Sequence, residues 1–223
     1  NLQYVRIEYA GGAIDGNAEL NGLSLYAVGS GTTIDYVQVY EGSDDGIEFF
    51  GGTVNASHIV IVNAEDDSMD WTEGYTGTVT DVYIQHGASH DKAFECDGYN
   101  TDFSNEAGYF SAPNVINLTV AGADDASEAI RLRAGTQGIF TNVVLTDFDE
   151  GFDLDGDTGD NPTGQGVLDG ALGVIDVTFN NVVTKLKNDT GFIFTEADFI
   201  SGDGNGTGTD VSAWGTGWTV GIN

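Results

Sequence analysis

Only six of the 223 residues are Lys or Arg, against 36 Asp and Glu, and one is Cys. Phosphate recognition needs clustered cations, so a formal charge of -30 excludes nucleic acid and anionic membrane surfaces as partners. A single thiol, Cys96, excludes an intrachain disulfide framework. No apolar run approaches the roughly 18 residues of a spanning helix, so membrane insertion is not expected. Helical periodicity is almost absent, and 33 Gly interrupt the chain too often for long helices. What is present suffices for a core: 40% hydrophobic residues, with 12 Phe, 9 Tyr and 3 Trp. A disordered acidic chain lacks those aromatics.

Short β-branched and aromatic runs read as strands: 34–39, 59–62, 79–84, 115–120, 140–145 and 175–179. Between them an acidic pattern recurs, acid-acid-x-x(x)-acid, usually followed by Gly. It begins at Asp44, Asp66, Asp91, Asp124 and Asp149, at intervals of 22, 25, 33 and 25 residues. A period in the low twenties means a solenoid, since propeller blades run roughly 40 residues. The expected fold is an all-β, right-handed parallel β-helix with coils of about 22–25 residues, forming one domain over 1–223. The longest interval implies a loop inserted at 100–113, and 156–170 and 201–213 read as Gly/Asp-rich loops.

Stacked coils repeat equivalent positions every ~4.8 Å. The spacing therefore predicts one carboxylate row of Asp44, Asp66, Asp91, Asp124 and Asp149, with Asp45, Asp67, Asp125 and Glu150 beside it. A second row would hold Glu48, Asp70, Glu95, Glu128 and Asp153. Like charges so close repel by about 1 kcal/mol per pair even in water. Either the acids fan into solvent at turns, or hard cations sit between coils. Ca²⁺, with 6–8 oxygen ligands in flexible geometry, is the expected cofactor. Two further loops carry alternating donors, Asp153-x-Asp155-x-Asp157 and Asp203-x-Asn205. Both have a non-ligand, Gly164 and Trp214, where a calcium loop places its bidentate Glu.

The remaining candidates are weaker. His86 and His90 lie four apart, but Gly87 between them argues for turn histidines, and Cys96 reads as a buried thiol. Trp71 and Tyr75, with Phe49 and Phe50, would stack on sugar rings if exposed. Arg131 and Arg133 form the main cationic cluster, beside Asp124, Asp125 and Glu128. As an enzyme the chain would be a polysaccharide lyase or glycoside hydrolase using these residues. Polygalacturonase order is not met: Asn100-Thr101-Asp102 and Asp124-Asp125 are followed by Arg131-Leu132-Arg133 with no His-Gly between them. The two Arg fit better as partners of acids on neighbouring coils.

Residues 1–157 resemble the distal part of a family of large secreted bacterial β-helix proteins, common in marine Bacteroidetes and gammaproteobacteria. The resemblance is carried by 2–11, 21–25, 28–39 and above all 44–55, Asp44-Asp45-Gly46-Ile47-Glu48-Phe49-Phe50-Gly51-Gly52-Thr53-Val54-Asn55; Trp214-Gly215-Thr216-Gly217-Trp218-Thr219 resembles the family's close. It implies fold and export, and no particular reaction. Members usually carry more coils before the first block, so either coils preceding Asn1 or another chain capping the open end is expected. The sequence thus reads as an extracellular, calcium-binding, non-catalytic β-helix, structural or adhesive, at a cell surface or in matrix. Its expected partners are further copies stacked end to end, or a polysaccharide or cell-surface glycan.

Overall fold

The β-branched runs do fold as strands, and the alternation within them decides which side chains enter the core. The structure, a computed structural model, describes residues 1–12, 20–99, 109–123, 127–155 and 163–222. Its strands are β1 (Leu2–Glu8), β2 (Leu23–Val28), β3 (Thr33–Tyr40), β4 (Ile47–Gly52), β5 (Asn55–Val62), β6 (Met69–Thr72) and β7 (Thr78–Gln85). They continue with β8 (Phe94–Asp97), β9 (Asn114–Ala121), β10 (Glu128–Arg133), β11 (Gly138–Leu154), β12 (Leu172–Asn188) and β13 (Ile200–Asp203). Three short helices are α1 (Thr163–Leu168), α2 (Glu196–Phe199) and α3 (Val211–Trp214).

All strand pairs are parallel and join coil to coil. One ladder runs β1-β3-β5-β7-β9-β11 and another β2-β4-β6-β8-β10-β11. The long strands β11 and β12 bend from the first face onto the second. This is a parallel β-helix. Coil length varies from 22 residues (Ile47 to Met69) to 36 (Phe94 to Ile130). Inward positions stack like on like: Ile47, Met69, Phe94, Ile130 and Phe152 on one face, and Val37, Ile59, Val82, Leu118, Val143 and Val177 on the other. Every one of these is at most 0% exposed, so each coil closes its neighbour's core.

A recurring bend shapes the first face. Tyr36, His58, Asp81, Asn117, Asn142 and Asp176 all have φ between 51° and 60°. That left-handed kink turns the strand and lets residues three apart, such as Ile34 and Val37, both point inward. Asn and Asp tolerate it best. Their amides also link the coils, Asn142 Nδ2 donating to Asn117 Oδ1 (2.8 Å) and Asn117 Nδ2 to Asp81 Oδ1 (3.0 Å).

The chain after β13 runs back along this face. Thr207 and Gly208 amides donate to Asn142, Thr209 bonds Thr119 and Asp81, Trp214 packs edge-on to His58, and Trp218 to Tyr36 and Tyr4. Gln38 exchanges two hydrogen bonds with the Val220 backbone (2.7 and 2.9 Å).

The register corrects the expected acid rows. Across the 36-residue coil, Arg131 rather than Glu128 lies opposite Glu95, and Glu128 lies opposite Glu150. The 33-residue spacing of the acidic pattern therefore sets the frame three residues early. Asp124, Asp125 and Asp157, and residues 100–108 of the expected inserted loop, fall outside the described residues. Within 156–170 the described part contains α1, and 201–213 begins in β13 and ends in α3.

Candidate metal site

On the outer side of the second face one row of side chains reads Ser24, Glu48, Asp70, Glu95, Arg131, Asp153, Lys187. Three carboxylates are contiguous, and beyond them cations alternate with acids. Asp45, Asp67, Lys92, Glu128 and Glu150 form the adjacent row. The hydrogen bonds Gly46 N to Asp67 O and Ser68 N to Lys92 O fix Asp45, Asp67 and Lys92 as equivalent positions. Asp44 and Asp66 sit one residue earlier at the solvent edge, and Asp149 is exposed further along.

All six cations are committed, and their placement divides the acids into two populations. Arg133 grips Asp97 (2.6 Å) and Glu95 (2.5 Å), and Arg131 pairs with Asp155 (2.9 Å) and Glu128 (3.6 Å). Lys187 reaches Asp153 (3.1 Å), Glu150 (3.4 Å) and Asp189 (3.6 Å), while Lys92 lies among Asp67, Asp91, Glu95 and Glu128. Lys185 pairs with Asp203 and Arg6 with Glu8. None of these ion pairs reaches Asp44, Asp45, Glu48, Asp66 or Asp70.

In that uncompensated set, oxygens of Asp45, Glu48 and Asp70 lie within 4.8 Å of one another. Two oxygens on one Ca²⁺ at about 2.4 Å lie at most ~4.8 Å apart, so these separations fall within the limit for a shared ion. Asp45 is 8% exposed, and Asp70 Oδ1 is sealed from solvent with no hydrogen-bond partner among the described residues. Asn21 Nδ2 donates to Glu48. Burial, then repulsion from Asp67, Glu48, Asp66 and Asp44, pushes the Asp45 pKa up to about 9. Burial also raises Glu48 to about 7 against the opposing Asn21 bond, and it raises Asp70 well above the usual carboxylate range. Without a cation, protons are the available counter-charge for these groups. The donor set is all hard oxygen, as calcium chemistry requires.

The cluster opens into a groove of about 310 Å³ lined by Glu48, Phe50, Asp70, Thr72, Glu73, Glu95, Asp97 and Arg133. At one rim Phe50 stacks on the exposed Tyr26 (4.3 Å between ring centres). At the other, burial alone would lower the Arg133 pKa, but Asp97 and Glu95 outweigh it and hold the guanidinium protonated. A cation so fixed can bind an anionic group but is poorly placed to abstract a proton.

Other expected site residues lie elsewhere. Trp71 and Tyr75 are fully buried, which corrects their reading as a sugar platform. Alternation explains it: with Asp70 outward, Met69 and Trp71 point inward. Trp71 Nε1 donates to Thr136 (3.0 Å), while Tyr75 donates to the Val54 carbonyl (2.8 Å) and stacks on the equally buried Phe49. In the first alternating loop Asp153 and Asp155 do join Asp189, with oxygens within 4.8 Å of one another, but cations already sit on all three; the second forms no such group among the described residues. Asp153 is held by Lys187 and Asp155 by Arg131, Asp203 is taken up by Lys185, and Asn205 donates to Asp176 (3.3 Å). Sequence reasoning missed Asn21, Asp97 and the role of Lys92. The available signal was Lys92 at the place of Asp45 and Asp67 in the repeat.

A family described as the pectate-lyase-like beta helix domain matches residues 1–219. No curated protein and no solved structure matches the sequence.

Proposed function

We propose, for a chain that belongs to the pectate-lyase-like β-helix family, a non-catalytic role as a calcium-binding structural or adhesive domain exported to the cell exterior. The observation that carries it is the sealed Oδ1 of Asp70 beside Asp45 and Glu48, with no hydrogen bond to that oxygen and no ion pair to the three acids among the described residues. A buried carboxylate without a partner is costly, and a divalent ion bridging two coils removes that cost. Calcium then joins β4 to β6 much as a side-chain cross-link would. The acidic surface fits an exterior rich in calcium.

The test is thermal unfolding in EGTA and after calcium add-back. At a hundredfold excess over Kd, binding to the folded state alone adds about 2.7 kcal/mol, or roughly 5–10 °C at this size. Asp70→Asn and Glu48→Gln should abolish the calcium response. Identical melting curves with EGTA and with calcium would refute it.

A second reading is a polysaccharide lyase or hydrolase, favoured by Arg133 at the wall of a groove on the outer sheet face. Bound calcium would there neutralise a sugar acid. Incubation with uronate polysaccharides and calcium separates the two. An ultraviolet-absorbing unsaturated product, lost in Arg133→Ala, would replace the non-catalytic assignment.

A further inference from the structure

Lys92 is the most enclosed cation among the described residues, its side chain 4% exposed. Four carboxylates from three successive coils surround its ammonium: Asp91 at 2.6 Å, Glu95 at 3.3 Å, Asp67 at 3.7 Å and Glu128 at 4.0 Å. Its register is equally informative, because the same position holds Asp45 two coils earlier and Asp67 one coil earlier. The repeat thus builds similar acidic cages in succession. In the Asp45–Glu48–Asp70 cage no ion pair forms. One coil on, the equivalent positions are Asp67, Asp70 and Glu95, and there an ammonium, Lys92, stands beside Asp67 and Glu95; Asp66, Asp67 and Asp91 also bring oxygens within 4.8 Å of one another at this level.

An ammonium and a calcium ion make similar demands of such a cage. Both prefer hard oxygen and need negative charge from several directions, and Lys supplies its charge as a compact point on a flexible stem. The two differ in how they arrive: one binds reversibly from solution, the other is part of the chain.

We infer that Lys92 is a tethered stand-in for a divalent ion: its ammonium fills the Asp67–Asp91–Glu95–Glu128 cage and confines metal binding to the Asp45–Glu48–Asp70 cage before it. The second half of this statement rests on the calcium reading above; the first does not. The chain therefore carries one exchangeable ion and one permanent one in consecutive positions of the same stack. Past Lys92, Arg131, Arg133 and Lys187 continue the permanent series.

Calcium titration by calorimetry on the full chain tests this with five proteins. Lys92→Met keeps the packed stem and removes the charge. The expected stoichiometries are one ion for the unaltered chain, two for Lys92→Met, none for Asp70→Asn and one for the double variant. Lys92→Arg, which keeps a cation there, should bind one. A Lys92→Met protein that binds no more calcium than the unaltered chain overturns the inference. So does one that remains unfolded in excess calcium while Lys92→Arg folds, since metal then fails to replace the ammonium. If the unaltered chain binds none and Lys92→Met binds one, the stand-in role holds and the calcium reading falls.

Discussion

His86, 6% exposed, stacks on His90 with ring centres 4.5 Å apart and meets Phe148 edge-on at 5.5 Å. Burial, then the neighbouring His90, pushes its pKa down to about 3 from an ordinary 6.5. The folded state therefore holds His86 neutral where the unfolded chain protonates it. Its contribution is fully present above pH 6.5 and is lost as pH falls toward 3, at about 1.4 kcal/mol per unit. Urea unfolding of His86→Leu beside the unaltered chain checks this, because the acids respond alike in both. Between pH 7.5 and 5 the unaltered protein should lose about 2 kcal/mol more than the variant. Parallel stability curves would show that His86 does not titrate this way. Residue identity was a fair guide to such burial for Cys96 and a poor one for Trp71 and Tyr75. Aromatics beside acids look like binding residues until alternation is followed through Met69-Asp70-Trp71.

The elements were legible because each coil repeats the same inward pattern, and β-branched runs at 34–39, 59–62 and 79–84 mark it directly. Register between coils was not. The acids at 124, 125 and 128 mimic those at 91 and 95, but pairing is set by the apolar ladder of Phe94 on Ile130, which puts Arg131 against Glu95. Charge spacing carries no information about which residues face inward, and a three-residue error exchanges an acid row for an ion-pair row. The Asn and Asp bend was visible in the sequence, one polar residue recurring before each inward Val or Leu, as in Asn117-Leu118 and Asn142-Val143. Its energetics can be divided. Asn142 Oδ1 accepts from the amides of Thr207 (2.7 Å) and Gly208 (3.1 Å), and its φ is 60°. Asn142→Ala should cost about 1–3 kcal/mol, from the lost hydrogen bonds of exposed and part-buried amides and the left-handed backbone. Asn142→Gly should recover roughly 1 kcal/mol of that by removing the Cβ penalty. Chemical denaturation measures both; equal losses would mean the bend itself costs nothing.

A solenoid whose repeats touch only their neighbours can unravel from either end in steps. The segment after Asp203 changes that, because it contacts β11, β9, β7, β5 and β1, where Arg6 Nη1 donates to the Trp218 carbonyl (3.2 Å), and then turns back to β3 and β7 through Val220 and Gly221. Its Trp214, Trp218 and Ile222 cover Val60, Val62 and Tyr83. A chain truncated after Asp203 should still form coils but unfold over a broader transition, with a smaller denaturant slope and early hydrogen exchange in β1 and β3. A truncated protein that unfolds as sharply as the full chain would refute this. The same returning segment also acts as a gauge. Its anchor points are spaced by the rise of the stack, so a coil paired one rung out of place displaces every later anchor by ~4.8 Å, beyond the reach of a hydrogen bond. Only a stack with the correct number and order of rungs can be fastened, and the final segment thereby proofreads the winding of all those before it.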